Sequence, residues 1–424
     1  MCIIALYMNA DVIVIGGGPS GMMAACTAAA RGKKVVIIEK NDILGKKLLI
    51  TGGGRCNMTN AEFDHKKLLS KFKEAEQFLF SAFSQWDVKN TLDFFHLRGL
   101  DTKVENEQRV FPITDRAQSV WDVLVQELKK QQVPVVSNAP VKKLHSENGV
   151  ITSVEVLLNN KEKQIIKGTS VIIATGGTSR PETGSTGDGF VWLRDLGHTI
   201  HASDPSLVPL AIKDSWVKQL QGISLTDIKI STFQNNTKQQ ASKKSGTKLL
   251  FTHLGVTGPT ILNMSKDIGE LLKYGEVELS IDLLPKDDFG TLNTRLQHLT
   301  KNEHKKKIKN ALSVLIPSSL IDIVLSKSSI SPDTEMNSLT RESRIALMHI
   351  LKDLRMNVHG LLGTDKAIVS SGGVDIREID FKTMRSKLYS NLYIIGDVLN
   401  IDRPSGGYSL QLCWTTGHVA GKHA

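Results

Sequence analysis

The chain of 424 residues is 40% hydrophobic and 23% charged, which suits a globular protein of two or three domains. Its formal charge of +10 favours anionic partners such as nucleotides or RNA, although lysine used simply as a surface residue explains the same charge. No apolar run reaches the roughly 18 to 20 residues that cross a bilayer, so we expect no membrane partner. The four cysteines form no CxxC and no zinc-like cluster, which fits a reducing cytoplasm and predicts no metal site.

The first elements predict a βαβ unit. Residues 11–15 (DVIVI) predict a buried strand, residues 19–31 a small-residue helix ending at Gly32, and residues 34–38 a second strand. The segment before Met8 has no signal-peptide pattern, and we expect it to be either a frayed extension or an artefact of the assigned start site. Such a unit opens many nucleotide-binding domains.

The rest of the chain divides by pattern into further parts. Helical and strand-like patterns continue to a buried strand at residues 170–174, and from about Asp195 short strand-like runs alternate with turns. Lysine-rich helical patterns follow, before a last buried strand at residues 391–395 and a final helix at residues 406–420. We predict a nucleotide-binding domain interrupted by an insert, with boundaries at 8–194 for its first part, 195–285 for a β-rich insert, 286–360 for a helical insert and 361–424 for the C-terminal return.

The turn after the first strand has the GxGxxG pattern, with Gly16, Gly18 and Gly21 as its glycines. Gly16 permits the tight turn, Gly18 lets a pyrophosphate approach the backbone, and Gly21 lets the helix pack closely on the strand. The N–H groups at the helix N-terminus would bind that anion. Glu39 ends the second strand, where a carboxylate suits the ribose hydroxyls. These features together predict dinucleotide binding.

Motifs further along the chain favour FAD over NAD. Residues 173–177 run from a strand into a small-residue turn, and Asp397 comes just after the last buried strand, where two-domain flavoproteins place a carboxylate on the ribityl chain. Gly406, Gly407 and Tyr408 then open the final helix, whose N-terminus would stabilise negative charge on reduced flavin. NAD enzymes have no reason to keep this C-terminal return, so the sequence predicts FAD.

The most distinctive stretch is GKKLLITGGGRCNMTN at residues 45–60. Its glycine run gives a flexible backbone that can press against a ligand. Arg55 can pair a phosphate through two hydrogen bonds, with a surface ion pair as the alternative. Cys56 and Asn57 are predicted to lie over the isoalloxazine ring, with a packed thiol as the alternative for Cys56.

These motifs together resemble the YhiN/BaiN-type flavoproteins, also known as aminoacetone oxidase-like proteins. The resemblance rests on GGGPSG, GKKLLITGGGRCNMTN, ATGG with PETGSTGDG, FTHLGVTGP and GGYSLQLCWTTGHVAG, and it covers nearly the whole chain. It implies an α/β fold with a Rossmann-type, two-dinucleotide-binding-like FAD domain, interrupted by an insert with a β-barrel-like part and a helical part. The chain departs from the family pattern at Asp397, Asn400 and Ser409, and in the loop at residues 402–405.

The motifs and the resemblance nominate one set of cofactor-binding residues. Those predicted to bind FAD are Gly16, Gly18, Pro19, Ser20, Gly21, Glu39, Lys40, Lys47, Gly54, Arg55, Cys56, Asn57, Val141, Ala174, Thr175, Gly176, Gly396, Asp397, Gly406, Gly407 and Tyr408.

Three residues are catalytic candidates beside the flavin. Cys56 would donate a proton to a reduced double bond. Asp188, in the GSTGDG stretch, has a turn-stabilising role as its alternative. His253, in FTHLG, could act as an acid with a near-neutral pKa, and a purely structural role is its alternative.

We therefore predict a cytoplasmic FAD-dependent oxidoreductase. The leading hypothesis for its reaction is the reduction of an activated C=C bond. The sequence has no second GxGxxG motif, so NAD(P)H would visit the flavin transiently as electron donor. The family is associated with aminoacetone, with conjugated enones of steroids and with uridine in ribosomal RNA. The alternatives are therefore reduction of ribosomal RNA uridine with a lysine-rich insert as docking surface, a small-amine oxidase, and a non-catalytic flavin sensor. The expected partner is a small molecule or RNA, and no DNA is expected.

Overall fold

The computed structural model describes residues 9–158, 162–201, 205–242, 247–362, 369–370 and 372–424. The chain divides into two compact units. Unit 1 consists of Met1–Ser206 and Thr364–Ala424, and unit 2 of Leu207–Gly363. The segment before Met8 lies outside the described residues, so the expectation of a frayed extension stays a prediction, as do the predicted domain boundaries.

The first part of unit 1 alternates strands and helices. Its elements are β1 (Asn9–Ile15), α1 (Pro19–Ala30), β2 (Val35–Ile38), α2 (Lys46–Leu49), β3 (Thr59–Asn60), α3 (His65–Leu69), α4 (Glu76–Gln85), α5 (Val88–His96), β4 (Thr102–Glu105), β5 (Arg109–Pro112), α6 (Ala117–Lys130), β6 (Val135–Val136), β7 (Val141–Glu147), β8 (Val150–Leu158), β9 (Glu162–Ile173), α7 (Asp188–Asp195), β10 (Ile200–His201) and β11 (Pro205–Ser206).

Unit 2 is built from short strands and helices. Its elements are β12 (Leu210–Ile212), α8 (Trp216–Gln219), β13 (Ser224–Thr226), β14 (Lys229–Gln234), β15 (Thr237–Ala241), β16 (Lys248–Phe251), β17 (Gly255–Thr257), α9 (Pro259–Leu272), β18 (Val277–Asp282), α10 (Phe289–Asn302), α11 (Ile308–Ala311), α12 (Ser318–Lys327), α13 (Arg341–Lys352) and β19 (Leu354–Leu361).

The chain then returns to unit 1. The returning elements are β20 (Val369–Ser370), β21 (Gly373–Val374), β22 (Leu392–Ile394) and α14 (Tyr408–His423). Strands β11 and β20 pair antiparallel, and so do β10 and β21, so the outgoing and returning segments run side by side.

A parallel sheet forms the centre of unit 1. Its strands lie in the order β6-β2-β1-β9-β22, and the antiparallel strands β8 and β7 continue from β9. Val12, Ile13 and Val14 of β1 are fully buried, because helices or loops cover both faces of a parallel sheet. This burial explains why the strands are continuous apolar runs in the sequence.

Unit 2 has its own apolar core and an eight-stranded antiparallel sheet in the order β13-β16-β17-β12-β19-β18-β14-β15. Strand β19 falls within the range 286–360 that the sequence analysis predicts as helical. In β19 the buried residues Leu354, Met356 and Val358 alternate with less buried ones, as in a strand with one face on the core. The end of this range therefore belongs to the sheet of unit 2, and the bounds 286–360 of a helical insert stay a prediction.

No helix in the described part of the chain is both long enough and apolar enough to cross a membrane.

Candidate functional site

A cleft with about 1150 Å³ of empty space, part of it open to solvent, lies within unit 1 at the carboxyl ends of its parallel strands. Ile15 ends β1 and Ile38 ends β2, while Ala174 follows β9 and Asp397 lies shortly after β22; all four residues line the cleft. Ligands of open α/β sheets bind in this place, because the loops after neighbouring strands diverge there.

One end of the cleft is formed by the glycine-rich turn between β1 and α1. A Cβ atom at Gly21 would lie only 1.9 Å from the carbonyl oxygen of Gly16, so the helix packs directly on the turn. Gly18 is the N-cap of α1 and Pro19 follows it, and no side chain among the described residues caps this helix. A Cβ at Gly18 would have no atom within 4 Å, so the backbone here is open to a ligand. The first N–H groups of α1 are available to an anion.

Glu39 connects this turn to the loop after β2. Its Oε2 accepts a hydrogen bond from the N–H of Gly17 and its Oε1 one from the N–H of Asn41, both at 2.8 Å. The residue is buried and lines the cleft. The carboxylate is therefore fixed in place, with lone pairs left over for hydroxyl donors.

The middle of the cleft contains a buried hydroxyl and a surface ion pair. Thr175 Oγ1 is buried and has no hydrogen-bond partner among the described residues. Lys40 Nζ lies 2.8 Å from Asp188 Oδ2, while Thr186 Oγ1 donates to Asp188 Oδ1 at 2.9 Å. Both carboxylate oxygens of Asp188 are therefore engaged, which favours its turn-stabilising alternative over a role in proton transfer.

The other end of the cleft is formed by the loop after β22 and by the first turn of α14. Asp397, Ser409 and Cys413 line it. The guanidinium of Arg403 is bonded to Asp397 Oδ1, and Lys47 Nζ lies 3.6 Å from Asp397 Oδ2. Burial raises the pKa of the Asp397 carboxyl, but the charges of Arg403 and Lys47 outweigh burial and hold this pKa below its usual value. Asp397 is therefore an anion held between two cations.

The GGGRCN turn lies beside the cleft instead of lining it. Arg55 is bound to Glu105 and Asp115, each at 2.5 Å, so its guanidinium takes the ion-pair alternative in this structure. The Cys56 thiol is fully buried, and this burial raises its pKa to about 12. Asn57, with its amide oriented to satisfy its neighbours, accepts a hydrogen bond from the Gly407 N–H at 3.0 Å. The turn thus supports the loop that leads into α14.

Gly407 is held against β3. It has a φ of +100°, and a Cβ atom would lie 2.3 Å from the carbonyl group of Thr59. The next residue, Tyr408, is buried and contacts Phe72 edge to face. Only glycine fits this close approach between the loop and the strand.

The structure brings about half of the predicted cofactor residues together in the cleft. Those that line it are Gly16, Gly18, Pro19, Ser20, Glu39, Lys40, Lys47, Val141, Ala174, Thr175, Gly176 and Asp397, and the catalytic candidate Asp188 also lines it. The others are absent from its wall: Gly21, Gly54, Arg55, Cys56, Asn57, Gly396, Gly406, Gly407 and Tyr408. His253 belongs to unit 2, in the turn between β16 and β17. The binding and catalytic roles of all these residues stay predictions.

Sequence reasoning missed several lining residues. Ser185 and Gly184 lie in the PETGSTGDG stretch, so the motif itself was the available signal. Cys413 lies in a stretch without a glycine-rich or charged motif, and the structure shows it both buried and at the cleft wall. Trp192 and Asn41 carried no sequence signal, because only folding brings them to the cleft.

The residues of the cleft fit FAD. The bare backbone at Gly18 and the uncapped first turn of α1 suit a pyrophosphate, and the fixed carboxylate of Glu39 suits ribose hydroxyls. The unpartnered hydroxyl of Thr175 gains a partner only from a polar ligand or a solvent molecule. Lone pairs of Asp397 at the far end suit the hydroxyls of a ribityl chain.

Comparison with known proteins gives a consistent result. A family model described as HI0933-like protein Rossmann domain matches residues 10–423. A 3-dehydro-bile acid delta(4,6)-reductase of Clostridium scindens is 30% identical over 385 residues, which cover 90% of each protein. A ribosomal RNA dihydrouridine synthase of Escherichia coli is 29% identical over 374 residues, which cover 88% of this chain and 87% of that protein.

Among solved structures, the 3-ketosteroid delta1-dehydrogenase of Sterolibacterium denitrificans is similar in fold. It superposes with a TM-score of 0.56 at 14% identity, over 98% of this chain and 99% of that one. The family match and this likeness confirm the predicted α/β, Rossmann-type fold class.

Proposed function

Because the chain belongs to the HI0933-like family of flavoproteins and is a FAD-dependent oxidoreductase, we propose that it reduces an activated C=C bond with electrons from NAD(P)H. The match to the family model over residues 10–423 confirms the family resemblance that the motifs indicate. Two relatives support the reaction type, since a delta(4,6)-reductase and a dihydrouridine synthase both saturate a C=C bond. The substrate proposed here is a small molecule with a double bond conjugated to a carbonyl group.

The observation that carries the proposal is that one cleft in unit 1 joins the glycine-rich turn after β1 to the loop after β22. FAD bound there supplies the hydride chemistry. Glu39 orients the ribose end, and the N-terminus of α1 binds the pyrophosphate. Leu410 adds an apolar side chain at the other end of the cleft, beside Asp397 and Ser409.

The test is anaerobic stopped-flow reduction of the purified yellow protein with NADH and, separately, with NADPH. We expect one of the two nucleotides to bleach the flavin absorbance at least about tenfold faster than the other. The reduced protein is then mixed with a conjugated enone, and we expect the flavin to reoxidise with stoichiometric loss of the double bond. If neither nucleotide bleaches the flavin, the proposed electron donor is wrong.

An oxygen control separates the reductase from an oxidase. The reduced protein is mixed with air-saturated buffer without enone, and the peroxide formed is measured. Reoxidation by oxygen that is faster than reoxidation by any enone, together with bleaching by a small amine in place of NAD(P)H, would support the amine-oxidase alternative and overturn the proposal.

A second candidate is reduction of uridine in RNA. The specific observations in its favour are the 29% identity to a ribosomal RNA dihydrouridine synthase and the formal charge of +10. Its test uses the same reduced protein, mixed with protein-free ribosomal RNA and with an enone in parallel. This candidate would be supported if the RNA reoxidises the flavin and the enone does not. The affinity of the protein for the RNA should also fall steeply as the salt concentration rises.

A further inference from the structure

A cluster of three charged residues stands at the end of the cleft formed by α14. Asp397 lies between Arg403 and Lys47, and both Asp397 and Lys47 line the cleft. Only 1% of the Arg403 side chain is exposed. Its Nη1 donates to the carbonyl oxygen of Ile401 at 2.6 Å, and its Nε donates to Ser409 Oγ at 3.1 Å. The guanidinium thus joins two cleft-lining residues, Asp397 and Ser409.

The charges of this cluster do not cancel. Two cations face one carboxylate, so the group carries one net positive charge beside the cleft. The neighbouring Cys413 thiol adds no charge near neutral pH, because burial raises its pKa to about 12. A buried guanidinium is costly to desolvate and is weak evidence for stability, so its place beside a binding cleft points to function.

We propose that Arg403 is a positioning residue that holds Asp397 and Ser409 at the cleft wall and, with Lys47, makes the protein bind reduced FAD more tightly than oxidised FAD. The proposal rests on FAD binding in this cleft as described under the proposed function. Reduction adds two electrons and one proton to a neutral isoalloxazine ring, which leaves the ring with one negative charge near neutral pH. A net positive charge nearby stabilises that form, as an opposite charge stabilises any ionised group.

The test is a charge cycle read by the midpoint potential of the bound flavin, titrated with dithionite against a reference dye. In R403Q the cluster becomes neutral, and we expect the preference for reduced FAD to fall about tenfold, which for a two-electron couple is about 30 mV toward more negative potential. In D397N the cluster gains a charge, and we expect a shift of about the same size in the opposite direction. In the double variant the original net charge returns, and the potential should return to within about 15 mV of the wild type.

Two further variants serve as controls. R403K keeps the charge and should keep the wild-type potential. R98Q removes an arginine that is paired with Glu127 at 2.9 Å in the same unit, and neither residue lines the cleft, so its potential should not move. Shifts of the same sign in R403Q and D397N, or no shift in either, would overturn the proposal. If R403Q loses its FAD, the proposal is tested by the other two variants. It then requires a shift toward more positive potential in D397N and an unchanged potential in R403K.

The outcome is independent of the electron donor, because dithionite reduces the flavin chemically. Failure of NADH and NADPH to bleach the flavin would therefore count against the proposed reductase and leave the charge cycle intact. Conversely, if NAD(P)H reduces the flavin but the midpoint potential changes in neither R403Q nor D397N, the proposed role of Arg403 is wrong and the proposed reductase activity is unaffected.

Discussion

Glu39 is the residue whose loss should weaken FAD binding most directly. Both of its carboxylate oxygens accept backbone hydrogen bonds, from Gly17 and from Asn41. In Glu39→Gln an amide NH₂ replaces one oxygen and faces an N–H donor, so one buried donor is left unpaired. Such a loss costs about 1–3 kcal/mol of local stability. Because the side chain is then no longer fixed beside the ribose hydroxyls, we expect FAD affinity to fall about tenfold or more. Titration of the apoprotein with FAD, followed by flavin fluorescence, measures this change.

Glu147→Gln is the matched control for that substitution. Glu147 is exposed at the end of β7, in the same sheet, and does not line the cleft. An E39Q protein that binds FAD as tightly as the E147Q protein would show that Glu39 is not part of the cofactor site.

Asp397 should give the fold a contribution that depends on pH. Its folded-state pKa is lowered, so it stabilises the fold above its unfolded-state value of about 3.9 and loses that effect as the pH falls through the folded-state value. Asp397→Asn lacks this contribution at every pH. We expect the difference in free energy of unfolding between wild type and D397N to be largest near about pH 7 and to shrink below about pH 4. Urea unfolding at a series of pH values checks this.

A D397N difference that stays constant over this pH range would mean that the carboxylate gains nothing from Arg403 and Lys47 in the folded state.

A site residue can be predicted from the sequence when residues close to it in the chain fix its position. Gly16, Gly18 and Glu39 are recognisable because strand, turn and helix fix their positions within a few residues. In the sequence Arg403 is only one residue of an altered loop, because its importance comes from the inward fold of that loop onto Asp397 and Ser409. No pattern in the sequence reveals that the departures from the family pattern at residues 397, 403 and 409 share one hydrogen-bonded group.

At the scale of elements, the junction between β3 and α14 depends on Gly407. Gly407→Ala would place a Cβ 2.3 Å from the carbonyl group of Thr59, and the φ of +100° is unfavourable for alanine as well. The backbone conformation alone costs about 1–2 kcal/mol. We expect G407A to lower the free energy of unfolding by clearly more than this, and to lower FAD occupancy. Thermal unfolding and the flavin-to-protein ratio measure the two effects.

Gly99→Ala separates the two causes. Gly99 also has a left-handed conformation, with a φ of +79°, but a Cβ there would meet no atom within 4 Å. Its substitution should therefore show the conformational cost without the clash. Equal losses of stability in G99A and G407A would mean that the contact with Thr59 relaxes at no cost.

The elements themselves were predictable to different degrees. Strand β1 and the end of β9 are apolar runs that lead into glycine-containing turns, so their positions follow from the sequence. Strand β19 was not found, because α13 ends at Lys352 without the glycine or proline that usually marks a helix end. The alternating pattern of Leu354, Met356 and Val358 was the signal that distinguishes strand from helix there.

At the scale of the whole molecule, FAD binding should be a property of unit 1. Every residue that lines the cleft belongs to unit 1, and unit 1 has its own apolar core. The chain leaves and re-enters unit 1 through paired strands, with Ser206 opposite Val369. We expect a variant in which a short glycine-serine linker replaces residues 207–363 to keep bound FAD. The flavin-to-protein ratio after gel filtration, and the rise in melting temperature on adding FAD, measure this.

The full chain treated in the same way is the control for that deletion. A shortened chain that is folded by circular dichroism and yet binds no FAD would show that the cofactor site needs residues of unit 2. Aggregation of the shortened chain would show that unit 1 is not stable alone.

The place of β22 in the sheet has a consequence for the order of events during synthesis. Its partner β9 emerges from the ribosome long before it, and the whole of unit 2 is translated in between. Until residues 392–394 arrive, Val171, Ile172 and Ile173 present an unpaired apolar strand edge, which is a template for association with other chains. Compaction of unit 2 in the interval shortens the loop that β22 must close. We therefore expect the nascent protein to be prone to aggregation until β22 pairs with β9 and the cofactor can bind.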